Sequence, residues 1–170
     1  MRMRNVSYLI LLIASIAWLV AAETGSKVPT NPAFEKMKSL VGKWEGTALE
    51  DGKSISTNAR FQLISDGSAL MGWLNEGSAD EMVTMFHMDG ADLMATHYCA
   101  AHNQPRMVLA AGGEATKLVF KFKDGTNIGP GAGYMHQVTF TIDGPDRHSE
   151  DWTYLDKGKE TVAHFDFKRK

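Results

Sequence analysis

The chain has 170 residues, with 18 Lys and Arg against 20 Asp and Glu, ten Met and one Cys. A mildly acidic chain without a basic cluster is not built to bind nucleic acid. A single Cys excludes an internal disulfide, so the fold must be held by its core.

Residues 1–22 read as a signal peptide. Arg2 and Arg4 form a basic start, Leu9 to Val20 is apolar apart from Ser15, and Val20-Ala21-Ala22 supplies small residues for cleavage after Ala22. The apolar run is short for a membrane span and Glu23 follows at once. No Cys stands at the cleavage site to carry a lipid. The expectation is a periplasmic or secreted protein with no span after cleavage. The remaining 148 residues suit one domain, and without Arg2 and Arg4 they carry 16 basic against 20 acidic side chains.

After a polar lead-in over residues 23–30, Asn31-Pro32 reads as a helix N-cap followed by Pro at the first helical position. Phe34, Met37, Leu40 and Val41 recur at helical spacing, and Gly42 can end a helix of about three turns. From Lys43 the period becomes two. Strands are predicted at Lys43–Leu49, Ser54–Ile64, Ala69–Asn75, Met82–Met88, Leu93–Cys99, Arg106–Ala111, Lys117–Phe122, Tyr134–Ile142, Ser149–Leu155 and Thr161–Phe167. Turn signals separate them at Asp51-Gly52, Asp66-Gly67, Asp89-Gly90, Gly112-Gly113, Asp143-Gly144-Pro145 and Lys157-Gly158, while Asp124-Gly125 opens a longer connection.

Ten short strands and one helix mean an all-β, antiparallel sheet, because no helices cross between parallel strands. Closing that sheet into a single up-and-down barrel over residues 31–170 removes both exposed edges; an open sheet or sandwich is the alternative. The helix would plug one end.

The stretch Glu81–Met107 holds three of the six His, the only Cys, an Arg and two amides. Pairing about Asp89-Gly90 puts Met82, Thr84, Phe86 and Met88 on one face with Leu93, Ala95, His97 and Cys99. That face is the more apolar and is read as inward. Alternation over Tyr134–Ile142 puts His136 inward too, and Glu150, Trp152 and Tyr154 share a parity. Inward polar groups need partners, and Glu150, His136, His97 and Arg106 are expected to satisfy one another.

Those residues suggest three chemistries. The first is a small-molecule pocket, an apolar wall with a few polar groups. Its expected contacts are His97, Cys99, Arg106, His136 and Trp152, with Asn103 and Gln104 at the mouth. The ligand is mainly apolar with a polar or acidic group, for which Arg106 is a carboxylate clamp. The second is a haem- or metal-binding barrel with His97, His136 or His164 as ligand. No paired Cys or His-Glu-x-x-His supports a metal site, and Cys99-Ala100-Ala101-His102 lacks the first Cys of a c-type attachment. The third is a hydrolase or isomerase built from His97, Cys99, His136 and Glu150, although a Gly-x-Ser-x-Gly elbow is absent. Asn127–Gly133 is glycine-rich and reads as a lid or a long hairpin connection.

At Leu40-Val41-Gly42-Lys43-Trp44-Glu45-Gly46 the chain resembles the opening of calycin- or lipocalin-like barrels. Glu81-Met82, Thr96-His97-Tyr98-Cys99, Asn103-Gln104-Pro105-Arg106-Met107, Met135-His136 and Trp152 extend the resemblance to a group of exported bacterial proteins. It implies a lipocalin-like barrel in a periplasmic or secreted setting and carries no catalytic residues to transfer. A looser likeness, through Gly42-Lys43-Trp44-Glu45-Gly46, is to nitrobindin-type haem barrels. It implies a haem-ligating His near the C-terminus, where His164 lies.

Overall fold

The computed structural model describes residues 31–50, 52–112 and 116–170. The signal segment 1–22, the lead-in 23–30 and the turn residues Asp51 and Gly113 lie outside the described residues.

Helix α1 (Pro32–Lys38) begins where expected. The Asn31 side chain accepts from the Ala33 N–H at 2.8 Å. It is shorter than three turns because its exit tightens: the N–H groups of Ser39, Leu40 and Val41 donate to Lys36, Met37 and Lys38 carbonyls, three residues back. Phe34, Met37 and Leu40 are buried, whereas Val41 is exposed. Gly42 does not cap the helix but opens the first strand, at φ 137°. A Cβ there would meet the Arg169 guanidinium at 2.6 Å, so backbone and space both favour glycine.

Ten strands follow: β1 (Gly42–Glu50), β2 (Lys53–Ile64), β3 (Ala69–Leu74), β4 (Met82–Asp89), β5 (Asp92–Tyr98), β6 (Gln104–Leu109), β7 (Lys117–Thr126), β8 (Tyr134–Ile142), β9 (Arg147–Asp156) and β10 (Lys159–Arg169). Each pairs antiparallel with the next, and β10 pairs with β1, closing an up-and-down barrel. Leu93 lies opposite Met88, Ala95 opposite Phe86 and His97 opposite Thr84, so the inward face of β4 and β5 is the predicted one.

Two register shifts depart from simple alternation. One falls between Arg106 and Met107, where Arg106 faces Asp124 but Met107 faces Phe122. Strand β6 therefore starts at Gln104, taking in residues predicted as loop, and β7 runs through Gly125 to Thr126. The other falls between Met135 and Gln137 and leaves His136 unpaired in the ladder. A bulge adds a residue and reverses the parity before it.

The helix side of the barrel is packed solid. Phe86, Phe120 and Phe140 meet edge to face at 5.6–6.2 Å between ring centroids, a favoured aromatic geometry. Trp44 closes that end, its indole N–H donating to the Leu40 carbonyl at 2.7 Å. The Arg169 guanidinium lies 4.2 Å from the Trp44 ring and donates to the carbonyls of Ser39 and Val41, each at 2.8 Å, and of Pro145. One side chain thus ties the helix exit, the β8–β9 turn and the last strand together.

Candidate functional site

Along β9, period two turns His148, Glu150 and Trp152 inward, and all three are buried. They form a chain running from the sealed end toward the mouth. His148 packs edge-on against Trp44 at 4.4 Å and stacks on Phe167 at 4.9 Å. Its Nε2 lies 3.0 Å from Glu150 Oε1, and Trp152 Nε1 donates to Glu150 Oε2 at 2.8 Å. Both carboxyl oxygens are therefore taken within the barrel wall.

His97 arrives from β5 on the far side of Trp152, ring against ring at 4.5 Å. Its Nδ1 shares a 2.9 Å hydrogen bond with Oγ1 of Thr84, its cross-strand neighbour. Burial pushes its pKa down to about 3, so the imidazole is neutral at ordinary pH. Its Nε2 has no hydrogen-bond partner among the described residues.

Beyond Trp152 the packing stops and a cavity of ≈ 320 Å³ opens at the end opposite α1. Its apolar wall comes from Ala48, Leu74, Met82, Met135, Ala163 and Phe165, with Trp152 at its base. Thr57 on β2 and Asn75, Ser78 and Asp80 from the β3–β4 loop line one side. The exposed side chains of Leu49 and Ile55 line its lip.

Of the residues expected to hold a ligand, only Trp152 lines this cavity. His97 lies in the barrel interior as predicted, but it does not line the cavity. Cys99 follows β5; its N–H donates to the Asn103 carbonyl, and burial pushes its thiol pKa up, which lowers its reactivity. Asn103 is buried and ties down the glycine-rich connection, its Nδ2 donating to the Gly133 carbonyl at 2.8 Å. A Cβ on Gly133 would lie 2.4 Å from the Tyr154 hydroxyl, so this close seat needs glycine. Gln104 Oε1 accepts from Thr126 Oγ1 and Asn127 Nδ2 on the exposed side. Arg106 is half exposed and engaged by Asp124, its cross-strand partner. The bulge takes His136 out of the inward row, and its Nε2 lies 3.8 Å from the Glu160 carboxylate.

The expected mutual pairing of Glu150, His136, His97 and Arg106 is thus corrected: each has a different partner. Sequence reasoning missed His148 because the predicted strand starts at Ser149, two residues after β9 begins. The same parity that turned Glu150 inward would have turned His148 inward.

A protein-held metal ion needs several ligands that converge. His164 lies outside the barrel wall on β10, bonded to Asp151 at 2.6 Å and beside Asp166 at 3.3 Å. Asp151, and then Asp166, hold its pKa above the usual histidine value. Among the described residues no histidine lines the cavity. Among the described residues no three His, Cys, Asp or Glu side chains are grouped to hold a metal ion. The residues present do not fit an axial haem ligand at the mouth. None of His97, Cys99, His136 and Glu150 is among the residues that line the cavity.

No family model and no curated protein matches the chain. Among solved structures it is similar to Rv2717c from M. tuberculosis, with a TM-score of 0.55 and 14% identity over 84% of this chain and 99% of that one. At that identity the likeness shows a shared fold.

Proposed function

We propose that the barrel binds a small, mainly apolar molecule in its mouth cavity and performs no chemistry on it. The observation that carries this reading is the ≈ 320 Å³ space based on Trp152 and open to solvent past Leu49 and Ile55. Ligand sites of roughly 300–1,000 Å³ are mostly apolar with a few placed polar groups, and this one has that composition. Burying apolar ligand surface supplies about 25 cal/mol per Å², enough for a ligand of this size to bind without a charged clamp. The Met82 and Met135 side chains suit guests of varied shape. A neutral His97 and a raised Cys99 thiol, neither lining the cavity, favour binding over catalysis.

The resemblance to exported bacterial calycin-like barrels belongs to the same proposal. So does export itself, which rests on residues 1–22; N-terminal sequencing of the periplasmic protein should begin at Glu23.

The binding test is titration with N-phenyl-1-naphthylamine, an uncharged fluorescent probe, read by energy transfer from tryptophan. Saturable binding that is lost in Ala163→Trp, which fills the cavity, is expected. No binding, or binding untouched by that substitution, would overturn the reading.

A further inference from the structure

The polar side of the cavity has an unequal supply of hydrogen-bonding groups. The Thr57 hydroxyl donates to Asn75 Oδ1, the Ser78 hydroxyl to Asp80 Oδ1 at 2.7 Å, and Asn75 Nδ2 to Asp80 Oδ2 at 3.3 Å. Both hydroxyl protons are therefore used inside the ring of side chains. The loop backbone is similarly committed: the N–H groups of Asn75, Gly77, Ser78 and Glu81 donate to Asn58 O, a Glu81 carboxylate oxygen, Asn75 O and Ser78 O.

What remains for a guest is mostly lone pairs. Thr57 Oγ1, Ser78 Oγ and the Asp80 carboxylate can all accept, while the second hydrogen of Asn75 Nδ2 and the hydroxyl of the exposed Ser56 are the donors left. Among the described residues no Lys, Arg or His lines the cavity, and Asp80 is the charged side chain among them that does. The Ser78 hydroxyl, with the Asp80 backbone N–H, holds the Asp80 pKa below the usual carboxylate value. At the base, the Trp152 N–H is turned away to Glu150, leaving only aromatic surface.

From this accounting we infer that the cavity selects apolar molecules whose polar end is a hydrogen-bond donor, amines first and alcohols second, and disfavours carboxylates. The inference rests on the binding function proposed above and names its ligand class. It also reverses the acidic ligand group expected from Arg106, which Asp124 occupies. An ammonium head would meet the Asp80 carboxylate with its greasy stem against Phe165, Met135 and Trp152, and aromatic rings tolerate a nearby cation. A carboxylate head would face Asp80 with like charge and acceptor against acceptor. Rejection of that kind comes from repulsion and unpaired groups as much as from missing contacts.

The test displaces N-phenyl-1-naphthylamine with octylamine, octan-1-ol and sodium octanoate at pH 7 and low salt. Octylamine should bind about tenfold tighter than octanoate, the size expected of one exposed charge acting with opposite sign on two heads, with octanol between. Asp80→Asn, in an exposed loop, should bring amine and carboxylate within about threefold while leaving octanol unchanged. If octanoate binds as well as octylamine, if Asp80→Asn leaves the preference intact, or if no octyl compound displaces the probe, the head-group selection is overturned. Probe binding that is lost in Ala163→Trp would still uphold the cavity in those cases. Failure of the probe itself to bind overturns both.

Discussion

Glu150 gives the sharpest test of the barrel interior. Glu150→Leu keeps the volume but removes both acceptors, leaving the Trp152 indole N–H and the His148 Nε2 without their partner. Each unsatisfied buried polar group costs about 1–3 kcal/mol, and breaking a buried charged or hydrogen-bonded pair about 3–5 kcal/mol. The expected loss is therefore about 3–5 kcal/mol, a large part of the roughly 5–15 kcal/mol that stabilises a domain. His148→Leu alone should cost about as much, because the buried Glu150 carboxyl then keeps only Trp152 as donor. The double variant should cost well short of the sum, roughly 2–4 kcal/mol, since only the Trp152 N–H remains unpaired. Urea denaturation of the four proteins, with equal m-values as the check on two-state behaviour, measures the cycle. A Glu150→Leu loss under about 1 kcal/mol, or additive losses in the double variant, would refute the pairing described here.

His97 should show the opposite of an ordinary histidine. Its folded pKa of about 3 lies below the unfolded value of 6.5, so the unfolded chain binds the proton first. Stability should therefore fall as pH drops below about 6.5, by about 1.4 kcal/mol per unit at most, and level off near the folded pKa. Denaturation midpoints between pH 7 and 4 should lose that slope in His97→Asn, and an NMR titration showing folded His97 protonated near pH 6 would exclude the explanation. Arg169→Ala should cost about 2–4 kcal/mol by removing three carbonyl contacts and the stack on Trp44. Arg169→Lys should recover less than half of that, since one ammonium cannot reproduce a planar fork; full recovery in thermal melts would count against it.

The barrel was legible because its cause is periodic. Alternation over Met82–Met88 and Leu93–Cys99 is a physical requirement of a sheet with one buried face, and it placed His97 inside correctly. The bulges had no such signature. Nothing in Tyr134-Met135-His136-Gln137 distinguishes an alternating strand from one with an extra residue, so His136 was assigned to the interior that Met135 takes instead. Arg106 opens a predicted strand and is expected to clamp a ligand carboxylate, yet β6 begins two residues earlier, with Pro105 buried and Arg106 turned outward to Asp124. Asn75, Ser78 and Asp80 look like any polar loop, and only their position over the cavity gives them a chemical role.

The interior polar groups and the cavity's polar side should respond to mutation in different ways. His148, Glu150, Trp152 Nε1, Thr84 and His97 Nδ1 bond among themselves, with the Trp152 ring between them and the mouth. A guest in the cavity meets that ring and not the polar groups behind it. The ring of Thr57, Asn75, Ser78 and Asp80 has the converse character: it belongs to the cavity lining and lies outside the hydrophobic core. Substitutions in the first group should move stability strongly and head-group preference little, because the guest never touches them. Substitutions in the second should do the reverse, because a solvated loop carboxylate contributes little to folding. A chain whose inner histidines acted on the ligand would break this separation, since His97→Asn would then alter octylamine and octanoate binding unequally.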